Sequence, residues 1–247
     1  MVRTQDDDSP AASWLVERWD DPASTAHHRA LPDPLRPTIW VEQPSTRALV
    51  LGSTQTEAAL VGDGSDARAD GWEVTRRRSG GGLVVIDPAV TVWVDVLVPK
   101  GHPHWRDDIG RAFHWVGDAW AAALSAVLPG TSSVVHRGAA VDADVGRVVC
   151  FGGLGHGEVT IEGAKVVGLS QRRSREGARI QGLAVLHHDP STLTRHLATP
   201  LPRHATPSDL KVGVPGLGRD AAHELVEPLR AAVVAAVISS TGSRGQR

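Results

Sequence analysis

Tyrosine is absent from this 247-residue chain, phenylalanine occurs twice, and methionine and cysteine occur once each. A lone cysteine, Cys150, excludes an internal disulfide and fits a reducing compartment. Lysine is nearly as scarce: only Lys100, Lys165 and Lys211 stand against a background of arginine, so each lysine calls for a reason. No apolar run approaches ~18 residues, which excludes a helical membrane span. Residues 1–10 are acidic and lack an apolar core, which excludes a signal peptide. A cytoplasmic protein is the expectation. Excess positive charge is also missing: the formal net charge of −2 argues against a general nucleic-acid binder. The histidines show no metal spacing. His102 and His104 flank Pro103 without a third ligand, His187-His188 precedes an Asp-Pro turn, and all read as surface-loop residues. The glycines of residues 213–218 follow no strand and have the wrong spacing for a dinucleotide fingerprint.

What is present is ordinary for a soluble domain: 41% hydrophobic residues, 22% charged, and eight tryptophans carrying the aromatic bulk. The length fits one large domain with small extensions. Residues 1–11 read as disordered, 12–240 as a single domain, and 241–247 as a frayed tail.

The pattern predicts a mixed α+β domain, with largely antiparallel sheet and helices packed on it. Strands are expected over residues 14–19, 38–41 and 48–51, with a short helix between the first two. A short helix over 56–61 is followed by a meander of 72–77, 83–86 and 91–98, the last with valine at every second position. A long amphipathic helix spans about 107–128, capped by Asp107 and ended by Pro129-Gly130. Further strands follow over 133–136, 148–151, 159–161, 166–172 and 180–186, with Glu162-Gly163 at a hairpin turn. Asp189-Pro190-Ser191 opens a short helix to residue 197, and a last helix covers about 220–238.

Two stretches stand out. Arg76-Arg77-Arg78-Ser79 runs into Gly80-Gly81-Gly82 between two strands. Consecutive glycines let backbone approach a ligand, and guanidinium groups beside them pair with carboxylate or phosphate. A flexible turn with a solvated basic face is the plainer reading. Lys165 stands just past the hairpin glycine Gly163, where it would hold a carbonyl or phosphate oxygen or merely blunt a sheet edge. Cys150, beside the glycine-rich residues 152–157, reads either as a small core residue or as a nucleophile with His156 or Lys165 near it. Arg172, Arg173, Arg175 and Arg179 form a cluster that would attract an acidic partner surface.

These stretches carry a resemblance. Arg76-Arg77-x-Ser79-Gly80-Gly81-Gly82 with Val84, Gly163-x-Lys165-Val166-Val167-Gly168, and Leu49-Val50-Leu51-Gly52-x-x-Gln55 resemble, in order and separation, three motifs of the lipoate–protein ligase superfamily. The match spans about residues 38–198. It implies the catalytic-domain fold shared by lipoate ligases, octanoyltransferases and biotin ligases, with an acyl chain in an apolar tunnel under the glycine loop. The biotin signature, which interleaves Gly and Arg, fits less well.

The resemblance implies Lys165 and Cys150 as catalytic residues, and Arg76, Arg77, Ser79, Gly80, Gly81, Gly82, Gly168, Ser170 and Gln171 as the acyl- or adenylate-binding set. It implies lipoyl domains, or the H-type protein of glycine cleavage, as acceptors. Two branches remain. A cysteine-dependent octanoyltransferase branch takes the acyl group from acyl carrier protein, and its Cys-Phe, six residues, then Glu is matched by Cys150-Phe151 and Glu158. The lipoate ligase branch uses ATP, Mg²⁺ and free lipoate or octanoate, and many members carry an accessory domain for which this chain leaves no room. No tightly bound cofactor is implied. The chain departs from the transferase pattern at the glycines after Cys150 and at Gln181-Gly182, where the family has His-Gly. A non-catalytic acyl or nucleotide binder on the same fold is the third reading.

Overall fold

The computed structural model describes residues 14–240; the readings of 1–11 and 241–247 lie outside them. The strands are β1 (Leu15–Trp19), β2 (Thr38–Glu42), β3 (Ala48–Leu51), β4 (Glu73–Arg76), β5 (Val84–Ile86), β6 (Thr91–Pro99), β7 (Ser133–Val135), β8 (Val159–Ile161), β9 (Ala164–Arg173) and β10 (Gly177–Val185). The helices are α1 (Ala23–His28), α2 (Ser65–Ala69), α3 (Ile109–Ala112), α4 (His114–Val127), α5 (Ala143–Val148), α6 (Pro190–His196) and α7 (Arg219–Ser239). Seven strands form one sheet in the order β1-β2-β6-β10-β9-β8-β7, and β4-β3-β5 form another. Every neighbouring pair of the larger sheet is antiparallel except β1 with β2. This is the expected α+β class.

Alternation along β6 sets the layers. Val92, Val94, Val96 and Val98 pack in the main core with Val116, Trp120 and Leu124 of α4 and Val226, Leu229 and Val233 of α7. Trp93 points the other way, into a second cluster with Val50, Val84 and Ile86 of the small sheet, Phe151, Val185, and Ala23 and Ala26 of α1. Period-two geometry thus gives β6 two buried faces, one against helices and one against the small sheet. The hairpin between β8 and β9 turns on Glu162 (φ 50°) and Gly163 (φ 79°), both left-handed as a two-residue turn requires.

Several expectations change. Residues 72–98 are not a meander. β3 is buried along its whole length and takes the centre, with β4 parallel on one side and β5 antiparallel on the other, while β6 joins the larger sheet. Residues 148–151 are not a strand. α5 ends there and Cys150–Gly152 is a 3-10 turn, although one strand-like bridge pairs Val149 with Leu83. The helix over 107–128 is two helices joined at Phe113, and its cap is Asp108, which accepts from Arg111 N. Residues 56–61 form 3-10 turns ahead of α2.

Candidate active site

A cavity of about 370 Å³ opens where the two sheets meet. Val84, Ile86, Trp93, Phe151 and Leu183 supply an apolar wall, and Gly80, Gly81, Cys150, Lys165 and Gly168 line it as well. An apolar slot with a few convergent polar groups is the ordinary form of a small-molecule site.

The three sequence motifs interlock around it. The Arg77 side chain is 5% exposed. Its guanidinium donates to Gly80 O at 2.9 Å, Gly82 O at 2.8 Å and Val50 O at 3.3 Å, so the arginine ties the glycine loop to β3. The same guanidinium lies near the Cys150 side chain. Burial pulls the Arg77 guanidinium below its usual range, and the Cys150 side chain acts the opposite way. Gly81 sits at φ 95°, and a Cβ there would lie 2.9 Å from Arg77 Nη2 and 3.5 Å from Cys150 Sγ. A Cβ on Gly52 would lie 1.8 Å from Gly81 O. Gln55 completes the join: its Oε1 accepts from Gly52 N at 2.9 Å and its Nε2 donates to Val148 O at 3.1 Å, next to Cys150.

Lys165 is no solvated edge residue, being 5% exposed. Its Nζ donates to Cys150 O at 3.0 Å and Gly153 O at 2.8 Å and pairs with Glu158 Oε2 at 2.6 Å. Those contacts use all three ammonium hydrogens. Glu158 also accepts from Gly155 N at 2.7 Å and Leu169 N at 3.1 Å. The lysine therefore closes the turn that presents Cys150. The Phe151 ring lies 5.0 Å from Nζ, and a Cβ on Gly168 would come within 3.1 Å of it.

Of the residues singled out from the sequence, Arg77, Gly80, Gly81, Cys150, Lys165, Gly168 and Ser170 line the cavity. Ser79 stands just outside it and contacts Ser170 Oγ at 3.3 Å. Gly82 is packed against α5, Arg76 is exposed at the end of β4, and Gln171 accepts from Arg173 Nε; none of the three lines the cavity. His156 lies beside His114 and Gly110, away from Cys150's cavity. The arginine cluster divides: Arg172 and Arg175 are exposed, whereas Arg173 donates to the carbonyls of Arg106 and Asp107. Arg179 is buried, its Nε on Asp95 Oδ2 at 2.7 Å.

Sequence reading missed His27, Arg147, Trp93 and Gln181 as cavity residues. For His27 a signal existed. It follows Ala23 by four positions, and Ala23 and Ala26 are the buried face of α1, so the same stripe turns His27 inward.

Residues 24–212 match the lipoyl protein ligase A/B catalytic domain. The chain belongs to that family. It is an enzyme of the lipoyl ligase and transferase group. The lipoyl-ligase fold extends over nearly all of it. The protein Ta0514 of T. acidophilum with bound lipoic acid superposes with a TM-score of 0.63 at 14% identity, covering 94% of this chain and 86% of the other. A lipoate-protein ligase A bound with ATP gives 0.63 at 16% identity with the same coverage. A bi-partite lipoate protein ligase of Thermoplasma acidophilum, studied with its E2 lipoyl domain, gives 0.62 at 13% identity, covering 94% and 84%. No curated protein matches the sequence. Among the described residues, no helix of this family member is long and apolar enough to cross a membrane.

Proposed function

We propose that this domain attaches an octanoyl or lipoyl group to a lysine of a lipoyl domain or H-type protein, by acyl transfer from a carrier thioester through Cys150. The carrying observation is the position of Cys150. Its side chain lies near the Arg77 guanidinium, faces Gly81, and lines the same apolar cavity as Lys165.

In the first step Cys150 Sγ attacks the donor carbonyl. A new carbon–sulfur bond forms, the donor's carbon–sulfur bond breaks, and the carrier leaves as a thiol with the cysteine's proton. In the second step the acceptor lysine's amine attacks the acyl-cysteine. The amide bond forms, the bond to Sγ breaks, and a proton from the amine returns to sulfur. Exchange between thiols needs no ATP. The Arg77 guanidinium stays beside the sulfur through both steps, in a water-poor pocket where its field is strong. Lys165, with its hydrogens committed and its charge paired with Glu158, holds the Cys150–Gly153 turn in place.

The test pairs a lipoyl domain with two donor mixtures, octanoyl-carrier protein and octanoate with ATP and Mg²⁺. Intact mass should show the acceptor gaining an octanoyl group from the carrier, and an acyl adduct on the enzyme that Cys150→Ala abolishes. A Cys150→Ala variant fully active with ATP and free acid would replace this route with the adenylate route. No mass shift on the acceptor from either mixture would reduce the domain to a binder.

A further inference from the structure

Among the described side chains that line the cavity, one ring nitrogen is buried with nothing to bind. Arg77 donates to three carbonyls, and the ammonium of Lys165 is committed to two carbonyls and Glu158. Ser170 is engaged with Ser79 and Gln181. Arg147 stands exposed at the rim. His27 is different. It lines the cavity, tilted against Trp93 with ring centroids 4.5 Å apart, and its Nε2 is buried without a partner among the described residues. A buried polar atom left unpaired is rare enough to need a reason, and an absent ligand is one.

Which nitrogen carries the hydrogen follows from the neighbours. Asp95 accepts from Trp93 Nε1 at 2.7 Å and from Arg179 Nε at 2.7 Å. Its carboxylate also faces Gln181 Nε2 at 3.4 Å, which sets the amide with its NH₂ toward Asp95 and its oxygen toward Ser170 Oγ. The same NH₂ lies 3.4 Å from His27 Nδ1. An amide NH₂ only donates, so Nδ1 accepts. Burial, reinforced by Arg77, Arg179 and His28, holds the imidazole well below its usual pKa, so the ring is neutral and its single hydrogen is on Nε2.

We propose that His27 Nε2–H is the donor that receives the carbonyl oxygen of the bound acyl group, making His27 a substrate-contacting residue of the transfer reaction. This rests on the reading of the cavity as an acyl site. It does not depend on whether the acyl group arrives as a thioester or an adenylate, because the carbonyl is common to both. Gln181 and Asp95 then act behind it by fixing the tautomer. A donor already oriented toward the oxygen on which charge accumulates favours the transition state more than the bound substrate.

Two measurements test the proposal. In ¹⁵N-labelled wild-type protein, the His27 ring should appear as the Nε2–H tautomer at neutral pH, and saturating octanamide should shift the Nε2–H resonance. An Nδ1–H tautomer, an imidazolium, or an Nε2–H indifferent to bound octanamide overturns the assignment. In the transfer assay, His27→Phe should lower kcat about 100-fold with KM nearly unchanged, equally for octanoyl and lipoyl donors. His27→Gln, which can place an N–H near the same point, should recover a large part of the loss. Wild-type kcat in His27→Phe refutes the proposal. So does a loss confined to lipoyl donors, which would place the donor against the dithiolane sulfurs. If the wild-type protein acylates nothing, the acyl-transfer reading has failed on its own, and the resonance experiment still decides His27.

Discussion

The ion pair between Lys165 and Glu158 gives the most direct physical test of how the candidate site is held. The two side chains are 5% and 8% exposed, and the charged atoms are 2.6 Å apart. Removing the carboxylate with Glu158→Leu strands an ammonium in the interior and takes the acceptor from Gly155 N and Leu169 N. Breaking a buried pair from one side costs about 3–5 kcal/mol. Lys165→Met leaves Glu158 with two backbone donors, so its cost should fall near the lower end, about 3 kcal/mol. Neither cost is the worth of the pair, because each contains the penalty of a lone buried charge. With both changes made, no charge remains buried, and an apolar pair of similar volume fills the space. The double variant should therefore be destabilised by clearly less than the sum, with a coupling energy of about 2–3 kcal/mol. Urea denaturation of the four proteins at one pH measures this, provided the slope with denaturant is common to all. Singles that add to the double within about 0.5 kcal/mol would show that the two charges do not see each other, and the account of Lys165 as the clasp of the Cys150 turn would fall.

Other expectations follow from the same geometry. Burial, then Asp95, raises the Glu42 pKa from 4.5 to about 7. The folded state therefore keeps this proton after the unfolded chain has released it, and stability falls as pH rises from about 4.5 to 7, by about 3 kcal/mol from this group. Buried histidines such as His27 and His188, whose pKa values are lowered, work in the opposite direction, so the wild-type minus Glu42→Gln difference curve is the diagnostic; a flat difference rejects the assignment. Gly52→Ala places a methyl 1.8 Å from Gly81 O, a backbone atom that has to move. It should cost about 1–3 kcal/mol by thermal or urea melts and lower acyl transfer with it, and an unchanged transfer rate would show that the glycine loop need not sit where it does.

Much of the fold was legible because local chemistry and tertiary demand agree. Valine at alternate positions of β6, the alanine and tryptophan stripe of α4, and the Glu162-Gly163 turn each leave one structural option. The failures have a common cause. Residues 148–151 carry β-branched side chains and even make one strand-like bridge, but glycines 146, 152 and 153 let α5 and the Cys150 turn fold against each other, with a Cβ on Gly153 falling 2.9 Å from Gly146 Cα. The meander over 72–98 fails because sequence order does not say which strand is central, and full burial puts β3 between its neighbours.

The site was legible to a different depth. Motif reading placed Arg77, Gly81, Cys150 and Lys165 together, and they do share a cavity. It assigned Lys165 the task of holding a substrate oxygen, because a scarce lysine at a glycine turn has the right charge. It could not show that the lysine's hydrogens are already committed to Cys150 O, Gly153 O and Glu158. Availability of a donor is a property of all its neighbours at once. Those neighbours lie on the 3-10 turn, just past it and just ahead of β8, and only the fold brings their acceptor atoms onto one nitrogen. The same accounting picks out His27, a residue that belongs to none of the motifs. A sequence motif thus says which charges converge on a site, and the inventory of spent and unspent hydrogens says which of them a substrate meets.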